Sequence, residues 1–449
     1  MGRPAKIPCL LIACLLAALA GPSTAGDHVV SDRGALQKAL KEARPGDRIV
    51  LQPGTYRGGL RAVGLTGVTI TSTSPGLKAV ISGGTNALQL SSPRDVTIES
   101  IECVGQGGNG LNIDDGGSRD TPARNVTIRN VTVRNVASGN RDGIKLSGVT
   151  GFLVDGVRVE NWGDGGSAID MVGCHDGVIR HSLLRHTKGR ATISGIRPKG
   201  GCKNIVVRAN RIELHGGVGR ALQAGGVTEP KFFRFLGGDS GYEADEIVSE
   251  GNVVVGSSAP FSFVNIDGGL FHHNAVFRPR DWIVRILNEN QKRRDMVQTQ
   301  NGMLAHNLIV YSDTDEEIEE AVNIGPGTLP ETLRFVGNRW FNRANPSAGP
   351  LALPVDELDG VHGVNPGVGP DEPIAWEFEW GLWIVNAVDR PNEFALDEEG
   401  LELAMPGLGA RFEPLEPDPF VGSWTYRPWT ADKVPMRPLS EAHLRRKSR

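Results

Sequence analysis

The chain has 449 residues, with 48 basic against 52 acidic side chains and a formal charge of −4. That balance argues against a general nucleic-acid binder, which needs a basic surface. Glycine is abundant at 59 residues, but no Gly-X-Y period accompanies it, so collagen is excluded, and the many Val, Ile and Leu residues exclude a disordered chain.

At the N-terminus Arg3 and Lys6 precede an apolar stretch, Ile7 to Ala20, that is too short to span a membrane. Ser23-Thr24-Ala25 suits cleavage after Ala25, so residues 1–25 read as an export signal and the protein as secreted or periplasmic. Leu11-Ile12-Ala13-Cys14 also fits a bacterial lipobox, which makes a lipid anchor on Cys14 the alternative. No later segment is apolar enough to cross a membrane.

Gly34 to Ala43 places Ala35, Leu36, Ala39, Leu40 and Ala43 on one helical face, with Ser31 or Asp32 as cap and Pro45-Gly46 as stop. Ile49-Val50-Leu51 then reads as a strand. A helix feeding a first strand suits the N-terminal cap of a solenoid, whose open end exposes core and strand edges.

Eight segments follow with one pattern, apolar–polar–apolar. They are Leu111-Asn112-Ile113, Ile144-Lys145-Leu146, Ile169-Asp170-Met171, Ile196-Arg197-Pro198, Leu222-Gln223-Ala224, Phe261-Ser262-Phe263, Val284-Arg285-Ile286 and Val322-Asn323-Ile324. Self-similarity on this period marks a solenoid whose units bury their apolar faces only by stacking. A second set, Val96-Thr97-Ile98, Val126-Thr127-Ile128, Phe152-Leu153-Val154 and Ile205-Val206-Val207, lies between them. Asn210, Asn252, Asn274, Asn307 and Asn338 each separate two strands and read as left-handed turn residues forming a partial asparagine ladder. Asn125 and Asn130 match glycosylation sequons, with Asn130 read as a buried turn residue. Cys103, Cys174 and Cys202 read as small core residues, although Cys174 and Cys202 are about one coil apart and are candidates for a bridge.

The period is uneven. Pro230 to Glu246 and Asn288 to Gln300 are insertions, which in solenoids become loops, often at the binding face. The acidic run Asp313 to Glu320 reads as a solvated face or a calcium site. The repeat stops near Asn342. Trp376, Trp380, Trp383, Trp424 and Trp429 follow, read as pinning an irregular cap and alternatively as stacking on sugar rings. The expected organisation is therefore an all-β, right-handed parallel β-helix over residues 26–342, with an irregular C-terminal cap over 343–449.

The stretches "ALQKALKEARPGDRIVLQPGTY", "NVTIRNVTVRN" and "DGIKLSGVTGFLVDGVRVEN" resemble the right-handed parallel β-helix proteins of the pectate-lyase-like superfamily. That superfamily includes polysaccharide lyases, glycoside hydrolases and epimerases, so the resemblance implies the fold and a carbohydrate-active protein. The opening segment is similar to the alginate and chondroitin lyase branch, but that branch's central catalytic stretch has no match here, and no catalytic residue is carried over. "GRALQAGGVTEPKFF" and "VNIGPGTLPET" resemble a group of uncharacterised bacterial secreted proteins.

On each strand the middle residue points outward, so stacking makes a column: Asn112, Lys145, Asp170, Arg197, Gln223, Ser262, Arg285, Asn323. Asp114 and Lys199 are further outward positions, and Arg220 precedes its strand. A lyase must neutralise a uronate carboxylate, remove the adjacent proton and protonate the departing oxygen. Arginine pairs with carboxylates bidentately, and a lysine among cations acquires a lowered pKa. Lys145, Asp170, Arg197 and Lys199 are thus the catalytic candidates, with Lys145 as base oriented by Asp170. Asn112, Arg220, Gln223 and Arg285 are the candidates for substrate binding, and Asp114 with Asp115 for Ca2+. The expected partner is an acidic polysaccharide bound by a monomer. The alternatives are a mere surface charge ladder on a non-catalytic carbohydrate-binding or structural protein, or a glycoside hydrolase using Asp170 with Asp142 or Asp176. His175, His181 and His186 are further acid–base candidates.

Overall fold

The computed structural model describes residues 25–385 except 74–78, 188–193, 217–218, 292, 314–317, 319, 368, 371–373 and 379–380. The export signal with Cys14, most of the acidic run and the side chains of the five tail tryptophans lie outside the described residues. Among those residues no helix is long and apolar enough to cross a membrane.

Each coil contributes one strand to each of three long sheets, and every pairing between coils is parallel. In chain order within a coil, the first sheet has twelve strands, from Asp27–Val30 to Arg334–Val336. The second also has twelve, from Thr55–Arg57 to Val361–His362. The third has ten, from Leu60–Val63 to Glu320–Ile324. The architecture is a parallel β-helix.

The inward side chains of the three sheets form one continuous core. Along the second sheet the register runs Tyr56, Ile81, Cys103, Val133, Val159 and Leu184, one per coil. Cys103 is therefore a rung of the core, and burial pushes its thiol pKa up. Cys174 and Cys202 are also buried and free, with the Cys174 amide donating to Cys202 Sγ at 3.2 Å. Of the inward residues expected on the third sheet, Leu111, Ile113, Ile144, Leu146, Ile169, Met171, Phe261, Phe263 and Val322 are buried. Ile324 is not, being 45% exposed on the last strand, where no further coil covers it.

The helix α1 (Arg33–Glu42) forms where its apolar spacing places it. Asp32 caps it by accepting from the Ala35 amide at 2.9 Å, and Leu36, Ala39 and Leu40 enter the core. A strand that the sequence reading omitted, Asp27–Val30, precedes the helix and pairs with Arg48–Leu51.

The asparagine ladder is present and buried. Asn210, Asn252, Asn274 and Asn307 each donate both backbone N–H and Nδ2 to the next asparagine's Oδ1 at 2.9–3.0 Å. Asn338 ends the row on Glu357 Oε1. The left-handed residue, however, is the one before each asparagine: Ala209, Gly251, His273, His306 and Gly337. The strand bends at that neighbour, leaving the asparagine free to turn its amide inward along the stack. Asn125 and Asn130 are themselves left-handed, and Asn130 is half-buried rather than buried.

Two ladder neighbours bear on acid stability. His273 lies against His272, with Nδ1 atoms 2.9 Å apart, and its ring is 5.2 Å from that of His306. His272 is in turn paired with Glu250, which also accepts from Arg208. Burial and the neighbouring rings push His273 down to about 3. An ordinary histidine titrates near 6.5, so between those values the unfolded chain binds more protons and stability falls as pH falls. His273→Asn, a residue that accepts left-handed backbone, is expected to flatten this loss. Denaturant midpoints at neutral and acidic pH measure it; an unchanged difference between the two would assign the acid limb to other groups.

Candidate functional site

The third sheet builds the site. Its register stacks Asn112, Lys145, Asp170 and Arg197 on successive coils, then Gln223, Ser262, Arg285 and Asn323. A parallel column runs Asp114, Ser147, Val172, Lys199, two residues further along each strand. Coils about 4.8 Å apart bring each side chain of the first column within reach of the next.

At the centre is Asp170, wholly buried although it points outward. Lys145 Nζ bonds its Oδ2, Arg197 Nε donates to Oδ1 at 2.7 Å, and Lys199 Nζ lies 3.6 Å from the same oxygen. The long cationic side chains fold over the short aspartate, which is why an outward position is closed to water. Burial opposes the charge on Asp170, but the three cations hold its carboxyl well below the usual range. A second carboxylate, Asp142, lies 3.5 Å from Lys145 Nζ and accepts from the Ser167 amide at 2.8 Å. Burial, then the charge of Asp170, pushes Asp142 up.

The two lysines therefore differ. Burial works against the charge of Lys145, yet the two aspartates outweigh it and hold its pKa above normal. Lys145 is thus held in ion pairs with both aspartates. Lys199 has the edge of Asp170 and, at 3.5 Å, the Val227 carbonyl, with Arg197 and Lys145 beside it. Burial, reinforced by those two cations, lowers its pKa. Arg197 makes one hydrogen bond among the described residues, through Nε, so both Nη groups remain for a ligand.

The binding candidates divide. Asn112 belongs to an amide and carboxylate network, donating to Asp114 Oδ2 at 2.8 Å, which Gln89 also reaches at 3.1 Å. Arg220 grips Glu289 through both Nη atoms at 2.6 and 2.8 Å. Arg285 lies over the Trp282 ring at 4.4 Å and donates through Nε to Asn323. Gln223 Nε2 and Ser262 Oγ are buried and make no hydrogen bond among the described residues.

Of the calcium candidates, Asp115 is buried and clamped by Arg234, which bonds both its oxygens, while Asp114 accepts from Asn112, Gln89 and the Gly116 amide. His175, His181 and His186 lie off the column. His175 Nε2 is 3.0 Å from the Gly201 carbonyl oxygen, His181 pairs with Asp155 and His186 with the Trp162 carbonyl. Asp176 accepts from Asn204 and is equally remote from Asp170's partners.

Both insertions form one wall beside the C-terminal ends of these strands. The first crosses the coil ends at glycines: a Cβ on Gly173 would come within 2.5 Å of Arg234 Cβ, and one on Gly201 within 2.4 Å of its carbonyl oxygen. Buried Glu243 ties the wall together by accepting from the Gly200 and Thr228 amides, the Thr228 hydroxyl and Asn290 of the second insertion. Arg293 of that insertion lies over the Phe233 and Phe235 rings of the first.

Glu289 and Arg234 escaped the sequence reading, and Asp142 entered it only as a hydrolase carboxylate beside Asp170, not as a partner of Lys145. Asp142 had a usable signal: it stands three residues before Lys145, as Ser167 stands before Asp170. Glu289 and Arg234 lie in insertions outside the repeat, with no register to place them.

Residues 61–229 match the family model described as a right handed beta helix region, which agrees with the fold. Among solved structures the chain is similar to an alginate lyase from Paenibacillus sp. str. FPU-7, with 18% identity over 69% of this chain and 99% of that one, at a TM-score of 0.47. It is similar to a mannuronic acid specific polysaccharide family 6 lyase from the human gut microbiota, with 15% identity, 71% and 82% coverage and a TM-score of 0.43. It is also similar to a mannuronan C-5 epimerase A-module from Azotobacter vinelandii, with 17% identity, 75% and 96% coverage and a TM-score of 0.36. Among curated protein sequences none matches the chain.

Proposed function

We propose that this β-helix protein cleaves an acidic, uronate-containing polysaccharide by β-elimination, with Lys199 as base. The observation that carries the reading is the asymmetry between the two lysines: Lys145 Nζ bonds Asp170 and lies 3.5 Å from Asp142, while Lys199 Nζ lies 3.6 Å from Asp170 beside Arg197, where burial and the neighbouring cations lower its pKa. A base poised nearer to neutral pH is what proton abstraction beside a carboxylate requires.

In this scheme the free Nη groups of Arg197 pair with the uronate carboxylate and draw charge from the ring. Lys199 removes the proton on the carbon bearing that carboxylate. The electron pair forms the double bond to the adjacent ring carbon, and the bond from that carbon to the glycosidic oxygen breaks. The Lys199 ammonium returns its proton to the departing oxygen. Asp170 positions Arg197 and Lys199 without touching the sugar.

A second reading, a non-catalytic carbohydrate-binding protein, is favoured by one fact: Lys145, Arg220 and Arg234 each already hold a carboxylate of the chain itself. A glycoside hydrolase is disfavoured, because Lys145 lies between Asp142 and Asp170 and both carboxylates are buried. Incubation with alginate, pectate, chondroitin and heparan-type polymers separates the readings. The lyase produces the ultraviolet absorbance of unsaturated uronate ends on at least one of them. Binding without any new absorbance on any polymer supports the second reading and ends the first.

A further inference from the structure

We propose that Glu289 is a specificity-determining residue, an internal carboxylate that holds the Arg220–Arg285 end of the groove against neutral sugars and yields it only to a uronate carboxylate of the polymer. The inference rests on the reading of the groove as a site for an acidic polysaccharide, and it adds what selects that charge.

Glu289 stands two residues past the strand Trp282–Leu287, at the start of the second insertion. It reaches Arg220, which is 69 residues earlier in the chain. The contact is a two-pronged fork, Nη1 to Oε2 at 2.8 Å and Nη2 to Oε1 at 2.6 Å. That is the geometry in which arginine recognises a carboxylate on a ligand. The Glu289 side chain is 31% exposed, so it has solvent to turn into when displaced.

The surroundings favour an anion at this point. Burial opposes the charge on Glu289, but Arg220 first, then Arg285 and Arg197, keep its carboxyl below the ordinary range. Arg285 is held flat by Trp282 and Asn323, and burial and Arg220 together lower its pKa. Arg197, Arg220 and Arg285 all act on Glu289, while Glu243 and Asp281 also act on Arg197 and Arg285. The floor between Arg197 and Arg285 offers Gln223 Nε2 and Ser262 Oγ, both buried and unpartnered among the described residues. Buried polar atoms of this kind gain from a polar ligand atom.

The selection follows from exchange. A neutral sugar that displaces Glu289 leaves the Arg220 guanidinium without a carboxylate, at the cost of a charged hydrogen-bond pair. A uronate replaces like with like: Arg220 keeps its fork and Glu289 turns outward. The residue thus taxes every ligand and refunds only the acidic one.

Glu289→Gln keeps the side-chain shape and removes the charge. Calorimetric titration of parent and variant with a hexuronate oligosaccharide and a neutral hexose oligosaccharide of equal length provides the test, at low and at moderate salt. The variant is expected to bind the acidic ligand roughly tenfold more tightly, the scale of one charged hydrogen bond. Its affinity is expected to fall more steeply with salt, and the neutral ligand is expected to bind measurably where it does not bind the parent. Equal or weaker acidic binding by a variant with parental circular dichroism overturns the inference and leaves Glu289 as a structural partner of Arg220. Parent and variant both failing to bind the acidic ligand overturns it as well, together with the anionic groove. Tighter binding by the variant with no unsaturated product from either protein sustains the inference and removes the lyase reading alone.

Discussion

Replacing Lys199 by arginine is expected to abolish turnover while preserving binding of an acidic oligosaccharide. Guanidinium keeps the positive charge that Asp170 faces, but it does not deprotonate in a protein and cannot take up the substrate proton. Loss of a positioned base costs about 10²–10⁴-fold in rate. A second signature accompanies the loss. In the parent, kcat rises with pH as Lys199 deprotonates, with its midpoint below the roughly 10.4 of an ordinary lysine because burial and the adjacent Arg197 and Lys145 lower it. Lys199→Met, which keeps the length of the stem, is expected to remove that limb of the profile. Steady-state rates across pH, with affinity measured separately, give the answer. An arginine variant that still cleaves at a tenth of the parental rate or better rules Lys199 out as base.

Replacing Lys145 by methionine is expected to damage the fold before the chemistry. Asp170 is wholly buried and Asp142 nearly so, and Lys145 is the cation that touches both. Arg197 and Lys199 still face Asp170 in the variant, but Asp142 loses the cation beside it, and breaking a buried ion pair costs up to about 3–5 kcal/mol. Salt relieves little of it, since buried charges are weakly screened. In a solenoid each unit leans on its neighbours, so the loss is expected to concentrate in the strands Ile144–Ser147 and Ser167–Val172. Urea unfolding and hydrogen exchange of those strands read the effect. A Lys145→Met protein as stable as the parent but inactive would show Lys145 to be a reacting group and reverse the assignment of the two lysines.

The repeating part of the chain was legible because periodicity carries it. Alternating residues such as Ile144-Lys145-Leu146 and Ile169-Asp170-Met171 fix register once coils stack, so the column and the core appear in the sequence together. The electrostatic roles were not legible. Whether Lys145 or Lys199 loses its proton depends on Asp142, which lies in a turn outside the alternating pattern, and on how far each ammonium is from Asp170. The clamp on Asp115 was illegible for a similar reason. Arg234 arrives from an insertion 119 residues away, and no spacing rule announces it.

The asparagine row has a consequence for how such a chain can grow. Every interior amide, from Asn210 to Asn307, passes its hydrogen bonds in the same direction to an identical neighbour. A whole coil duplicated or deleted between Asn252 and Asn307 would leave each remaining amide with the same donor and the same acceptor. The row stops where Glu357 accepts from both Asn338 and Trp340 and has no amide to hand the bond onward. Along this edge, coil number is neutral to local chemistry and is decided by a terminator. Along the third sheet the opposite holds, since one extra coil between Lys145 and Arg197 would pull their charges off Asp170. Local chemistry along the asparagine row is therefore indifferent to coil number, while the charged centre holds the solenoid to a single count across it.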